Sequence, residues 1–198
     1  MRVRDTDKEQ LVVAKAIELI AVDGFQGFSM NKLAKACSVS VATLYIYYKD
    51  KDDLIKKIGR EIFYDFFSST TEGFSPDMSF EDGLWKQWQN RATFAFKYPN
   101  EVAFVEVIKN SPHWDHILNS TKLFPDFKLM MGQFMDNAIQ NKELLPMTFE
   151  VYWSLAYGPL YTLLSFHREG KSMGGKPFKL NQQMLREAFK AVIKSLTP

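Results

Sequence analysis

The sequence predicts an all-α protein: a three-helix unit with a helix-turn-helix in residues 1–50, joined by a long helix to a larger helical region in residues 51–198. Three observations carry this. Apolar residues recur at intervals of three and four along almost every stretch, the period of a helix buried on one side, rather than at the period of two of a half-buried strand. Gly, Pro and Ser interrupt the pattern where helices would start or stop. There is no internal repeat or low-complexity segment, and 198 residues, 46% hydrophobic and 24% charged, suffice for one large core or two small ones.

In the first element, Val13, Ala16, Ile17 and Ile20 recur at helical spacing between Gln10 and Val22, and Gly24 stops the pattern. Ser29 caps a short second helix, "SMNKLAKACS", whose Met30, Leu33, Ala34 and Cys37 form one narrow apolar stripe. Ser38-Val39-Ser40 separate it from "VATLYIYY", where Ser40 is again an N-cap. Two short helices across such a turn, behind a longer one, are the layout of a helix-turn-helix. A fourth helix starts near Lys51, with Asp52 and Asp53 in the first turn, where the helix dipole favours negative charge. Its stripe is Leu54, Ile58, Ile62 and Phe66. Beyond residue 75 the composition turns to Phe, Trp, Tyr and Met. Helices are expected at 79–98, broken by Pro99; at 100–110, ended by Ser111-Pro112; at 124–141; at 148–169; and at 181–196. "EGKSMGGKP", residues 169–177, reads as a flexible linker.

Charge and composition exclude several function classes. The net charge is +2; residues 1–60 hold 11 Lys/Arg and 8 Asp/Glu, so the N-terminal third is the basic end. No apolar run is long enough to span a bilayer, and "MRVRDTDKEQ" lacks the apolar stretch of a secretory signal, so the expected location is the cytoplasm. The single Cys37 excludes an internal disulfide framework and fits a small core residue in a reducing compartment. His113 and His116 in "HWDH" lack a third ligand and suit capping and surface roles, so no metal or other cofactor is expected. Gly174-Gly175 has lysines around it but no preceding strand, so it is not a phosphate cradle. Three histidines and one core cysteine give no convergent nucleophile or acid/base set, which places a helical enzyme last among the readings.

The segment "VATLYIYY" is more specific. On a helical wheel Leu44, Tyr48 and Val41 share one side, while Ala42 and Ile46 lie opposite, flanked by Thr43 and Tyr45. That apolar side is too narrow to bury three tyrosines. Small residues permit close approach to another surface, and Thr43, Tyr45 and Tyr47 supply hydroxyls, with Lys51 one turn on. Hydroxyls and a lysine suit phosphates, and small or apolar side chains suit base edges and thymine methyls. The plain alternative is an exposed amphipathic helix whose tyrosine hydroxyls reach water.

The stretch from Val12 to Leu54 resembles the DNA-binding domain of the TetR family of bacterial transcriptional regulators. The matching features are Gly24-Phe25 after helix 1, Ser29, Leu33-Ala34, Val39-Ser40, Thr43-Leu44-Tyr45, the pair Tyr47-Tyr48, and Lys51 followed by Leu54. The resemblance implies that Ser29, Thr43, Tyr45, Tyr47 and Lys51 touch phosphate or adjacent bases. It puts Val41, Ala42 and Ile46 at base edges and Ser40 among the DNA-facing residues. Leu44 and Tyr48 would hold the recognition helix on helices 1 and 4. The chain departs from the family at Ser38, where glycine is frequent, which puts a non-glycine residue at a left-handed turn position. It departs again at Val41-Ala42, where a glycine is also frequent, which favours methyl contacts.

In the larger region, Phe127, Met130, Met131, Phe134 and Met135 form a broad Met/Phe face, and Trp85 and Trp88 lie on "LWKQWQNRATFAF". Thioethers and flat rings suit a pocket for apolar or planar ligands and suit a core equally. The candidate ligand-binding residues are Trp85, Trp88, Met130, Met131, Phe134, Trp153 and Tyr157. The helix at 148–169 is apolar nearly all round and should be buried on more than one face, by a second copy or within a monomer core. Leu160, Leu163, Leu164, Met184, Phe189 and Val192 are its candidate dimer-interface residues, in a two-fold four-helix bundle with 181–196. The expected partners are a double-stranded DNA operator, a small-molecule effector and a second copy of the chain, with no membrane. The leading expectation is a dimeric repressor released from a palindromic operator by a small apolar or aromatic ligand. A regulator controlled by a protein partner, or by no effector, is the alternative.

Overall fold

The computed structural model describes residues 3–198, with side chains from Asp7 onward. Among the described residues there are ten helices and, apart from one isolated bridge, no β-structure. The residues group into two compact units: those up to Asp65 with Tyr98–Phe124, and Phe66–Lys97 with Pro125–Pro198. The first is larger than the segment 1–50, because the start of the fourth helix and a later pair of helices pack into it.

In the first unit, α1 (Val3–Gly27) leaves helical geometry at Gly24, with φ 70° and ψ 175°, a conformation open to glycine. Val12, Ala16, Ile17 and Ile20 are its buried face. α1 packs against α6 (Pro99–Lys109) and α2 (Met30–Ala36), and α2 against α3 (Val41–Tyr47). The expected caps are present: Ser29 Oγ accepts from Lys32 N at 3.2 Å, and Ser40 Oγ from Thr43 N at 3.1 Å. Ser38 does adopt a left-handed conformation, φ 54°. α4 (Lys51–Thr71) opens on a double acid cap, since Asp50 Oδ1 accepts from Asp53 N at 2.8 Å while Asp53 Oδ2 accepts from Lys49 N at 3.0 Å. α7 (Trp114–Ser120) was not expected: at seven residues with only Ile117 buried, it is too short to print a period. Gly59 leaves room for it, because a Cβ there would meet Ile117 at 2.7 Å.

The second unit holds the end of α4 with α5 (Phe80–Lys97), α8 (Phe124–Gln140), α9 (Phe149–Glu169) and α10 (Gln182–Leu196). α9 packs on α10 and on α5. Its helix runs through Pro159 without a break. The expected linker at 169–177 is instead a closed turn: Gly170 is left-handed at φ 69°, Phe178 N donates to Gly170 O at 3.0 Å, and Ser172 N to Lys176 O at 2.8 Å. Composition alone could not show these backbone bonds.

Candidate nucleic-acid interface and effector region

α3 is held at both ends and along one side. Ser40 satisfies its first turn, and Lys57 of α4 donates from Nζ to Tyr47 O at 2.9 Å, closing the last. The same ammonium pairs with Asp53 at 3.2 Å and lies 5.0 Å from the centre of the Tyr48 ring. Leu44 and Tyr48 are buried, and burial pushes the Tyr48 phenol up to about 12. The opposite side faces outward: Ile46 is 76% exposed and Tyr45 51%, with Ala42 exposed between them and Ser40. Val41, Thr43 and Tyr47 are half-buried flanks, and Thr43 Oγ1 shares a 2.8 Å hydrogen bond with Ser40 Oγ. Ser29 is half-buried at the start of α2. Lys35 and Lys49, exposed before and after α3, add positive charge.

One expected contact residue, Lys51, bonds within the first unit. Lys51 Nζ donates to Phe25 O at 2.8 Å and to Phe28 O at 3.0 Å, and sits 4.2 Å from the centre of the Phe25 ring. Carbonyls at a helix end lack intrahelical partners, and this part-buried ammonium satisfies one in the last turn of α1, Phe25 O, and one just beyond it, Phe28 O. In the chain without DNA, Lys51 therefore fastens the α1–α2 junction. His113 corrects a second expectation. Its side chain is buried, with Nε2 3.4 Å from Asp52 Oδ1 and its ring 5.4 Å from that of Phe25, while His116 is exposed. Cys37 is buried as expected, and burial pushes its thiol up.

In the second unit the seven candidate ligand residues divide. Trp88 is core: its Nε1 donates to Ala156 O at 2.8 Å and its ring meets Phe189 edge-on. Phe134 is core too, pressed against Gly83, where a Cβ would lie 2.5 Å from the ring. Half-buried Trp85 packs on Phe189 and under Arg186, and Met130 is half-buried. Met131, Trp153 and Tyr157, however, surround a feature that sequence reasoning missed: a buried polar cluster on α5. Gln87 and Arg91 are 0% and 1% exposed. Arg91 NH1 donates to Gln87 Oε1 at 2.6 Å, Tyr157 OH donates to the same oxygen at 3.0 Å, and Gln87 Nε2 donates to Met131 Sδ at 3.3 Å. Arg91 Nε donates to Tyr161 OH at 3.2 Å. The guanidinium lies 4.3 Å from the Tyr157 ring centre, 5.7 Å from that of Trp153 and 5.8 Å from that of Phe66. Arg91 NH2, buried, has no hydrogen-bond partner among the described residues. Among the described residues, no carboxylate pairs with Arg91. Burial of an unpaired ion costs several kcal/mol, on the order of what one buried pair is asked to offset. The signal was present in sequence: Gln87 and Arg91 fall, four apart, on the same stripe as Leu84 and Trp88.

Four of the six candidate dimer residues, Leu160, Leu164, Phe189 and Val192, face inward and are buried in the unit's own core; Leu163 is half-buried and Met184 exposed. The apolar face that α9 leaves outward is a different one, Val151 and Leu155 with Pro159 and Thr162, and α10 presents Met184, Ala191 and Ser195. A helix apolar all round conceals which side meets its own core.

The family model described as bacterial regulatory proteins, tetR family, matches residues 12–58, the span from α1 through the first turns of α4. An HTH-type transcriptional regulator of Haemophilus influenzae is 26% identical over 122 residues, 62% of this chain and 65% of that protein. The chain spans less than two thirds of the length of the curated relatives it matches. A TetR family transcription regulator from Marinobacter aquaeolei has the same fold, with a TM-score of 0.80 at 23% identity over 99% of this chain and 98% of that one. A TetR-family regulator from Haemophilus influenzae gives 0.75 at 20% identity over 98% and 99%.

Proposed function

Because the chain belongs to the tetR family of bacterial regulatory proteins, we propose that it is a dimeric, sequence-specific DNA-binding transcriptional regulator, a repressor released from a palindromic operator by a small-molecule effector. The family's members regulate transcription and are not enzymes. The observation that carries the reading is the outward face of α3. A helix braced by Ser40, Leu44, Tyr48 and Lys57 yet leaving Ala42, Tyr45 and Ile46 in solvent has side chains free for base edges in the major groove. Exposed Lys35 and Lys49 supply the salt-dependent attraction to phosphate. Dimerisation through the outward faces of α9 and α10 pairs two such helices and makes the operator palindromic. The effector shifts the equilibrium by binding the non-operator state more tightly. The location is cytoplasmic, and none of the described helices is long and apolar enough to cross a membrane.

The test is selection from a random-duplex library at two salt concentrations. A palindrome whose affinity falls steeply with salt, and which a Tyr45→Ala, Ile46→Ala double variant no longer selects, supports the reading. A pool without a motif, or one the double variant still recovers, overturns it.

A further inference from the structure

Arg91 carries a full charge among neutral partners. Its Nε–H goes to the Tyr161 hydroxyl and its NH1 to the Gln87 amide oxygen, an oxygen that Tyr157 also occupies. Aromatic faces of Tyr157, Trp153 and Phe66 surround the guanidinium plane. NH2 alone is left over, 99% of the residue being out of solvent. A guanidinium cannot escape burial by losing its proton, unlike a lysine or a histidine. Cation–π contact offsets only part of the desolvation, and hydrogen bonds to neutral oxygens leave the charge uncompensated. Burial raises Tyr152 well above, and Tyr157 above, the ordinary phenol value, so both are neutral O–H groups, able to donate and without negative charge to offer Arg91.

We propose that Arg91 is the seat of an anionic effector, a monocarboxylate with an apolar body, held by the free NH2 edge of the guanidinium. This rests on the effector reading above and gives it a ligand chemistry. One cation, with one unoccupied edge of its fork, matches one negative charge; a phosphate dianion would need further cations, and Arg91 is the cluster's only one. The apolar body packs on Trp153, Phe66 and Met131, the ring and thioether walls of the same cluster. Tyr161, 36% exposed at the far side of Nε, marks the cluster's solvent edge.

The experiment uses the full chain without DNA and compares octanoate, decanoate and 3-phenylpropanoate with their corresponding alcohols, by titration calorimetry and thermal shift at fixed ionic strength and pH 7.5. Saturable binding of at least one carboxylate, ten-fold or more tighter than its alcohol, is expected. In Arg91→Met the preference falls to within two-fold while the unliganded melting temperature stays level or rises, because an unpaired buried charge has been replaced by an apolar chain. Equal or absent binding of every acid and alcohol pair by the wild type overturns the proposal whether or not the variant folds. Loss of the dimer in Arg91→Met, with no carboxylate preference in the wild type, also overturns it by assigning the missing anion to a second copy. Selection of a palindrome with no response to any carboxylate defeats this inference alone; carboxylate binding without a palindrome defeats the operator reading alone.

Discussion

Lys51 and Arg91 are two cations whose chemistry depends on partners far away in the chain. The sequence places Lys51 just beyond a recognition helix and so suggests phosphate, but its ammonium answers carbonyls 23 and 26 residues earlier. Lys51→Met should therefore destabilise the protein by about 1–3 kcal/mol, the range for hydrogen bonds to charged groups, with the loss read in denaturant unfolding. The salt slope of operator binding should stay unchanged; a slope reduced by one phosphate contact would restore the charge to the interface. Ile46 is the converse. Its side chain touches mostly water, so Ile46→Ala should change stability by no more than about 0.5 kcal/mol while weakening operator binding on the order of tenfold, the scale of one base contact. The outward set of Ala42, Tyr45 and Ile46 was legible because helical phase is a local property. Arg91 was legible only as an anomaly on an apolar stripe, since what surrounds it comes from α9 and the end of α4, beyond the reach of periodicity.

Among the elements, α3 depends most on its surroundings. Seven residues including Val, Thr, Ile and two Tyr make a poor autonomous helix, too short for propagation to offset nucleation. Ser40→Ala should cost about 1 kcal/mol, the usual value of an N-cap, and Leu44→Ala about 2–5 kcal/mol as a core truncation. Operator binding should fall in both even though neither side chain need touch DNA. The start of α4 adds a pH dependence. The Lys49 backbone N–H first, and then the Lys57 ammonium, hold the Asp53 carboxyl below its usual 3.8. A depressed carboxylate contributes stability that is present above its unfolded value and lost as pH falls through the folded one. Asp53→Asn should thus lower the melting temperature at pH 7, with the gap to wild type closing only below pH 3.8. A gap that persists unchanged in acid would mean that the carboxylate's charge is irrelevant there. Both N-caps and the left-handed Ser38 were visible in the sequence because caps and turns are chosen by local chemistry. α7 was not, having one buried residue to announce it.

For the whole molecule, burial sorts the apolar helices into faces that sequence cannot separate. Val151 and Leu155 stand outward on α9 while Leu160 and Leu164 fill the core. Leu155→Glu should leave helical content intact and shift the particle mass from dimer to monomer in light scattering, whereas Leu160→Glu should unfold the unit. A dimer indifferent to Leu155→Glu would move the interface elsewhere. The four tryptophans fall unevenly across the two compact units. Trp114 is alone in the first, set edge-on to Phe63, and Trp85, Trp88 and Trp153 are in the second. Trp153 lies with its ring centre 4.5 Å from that of Tyr157 and 5.7 Å from the Arg91 guanidinium. The chain thus carries its own optical labels. A variant with Trp114 as its only indole would emit from the DNA-facing unit alone, and one retaining only Trp153 would report events beside Arg91, so light of one wavelength could follow the two halves of the molecule without any attached dye.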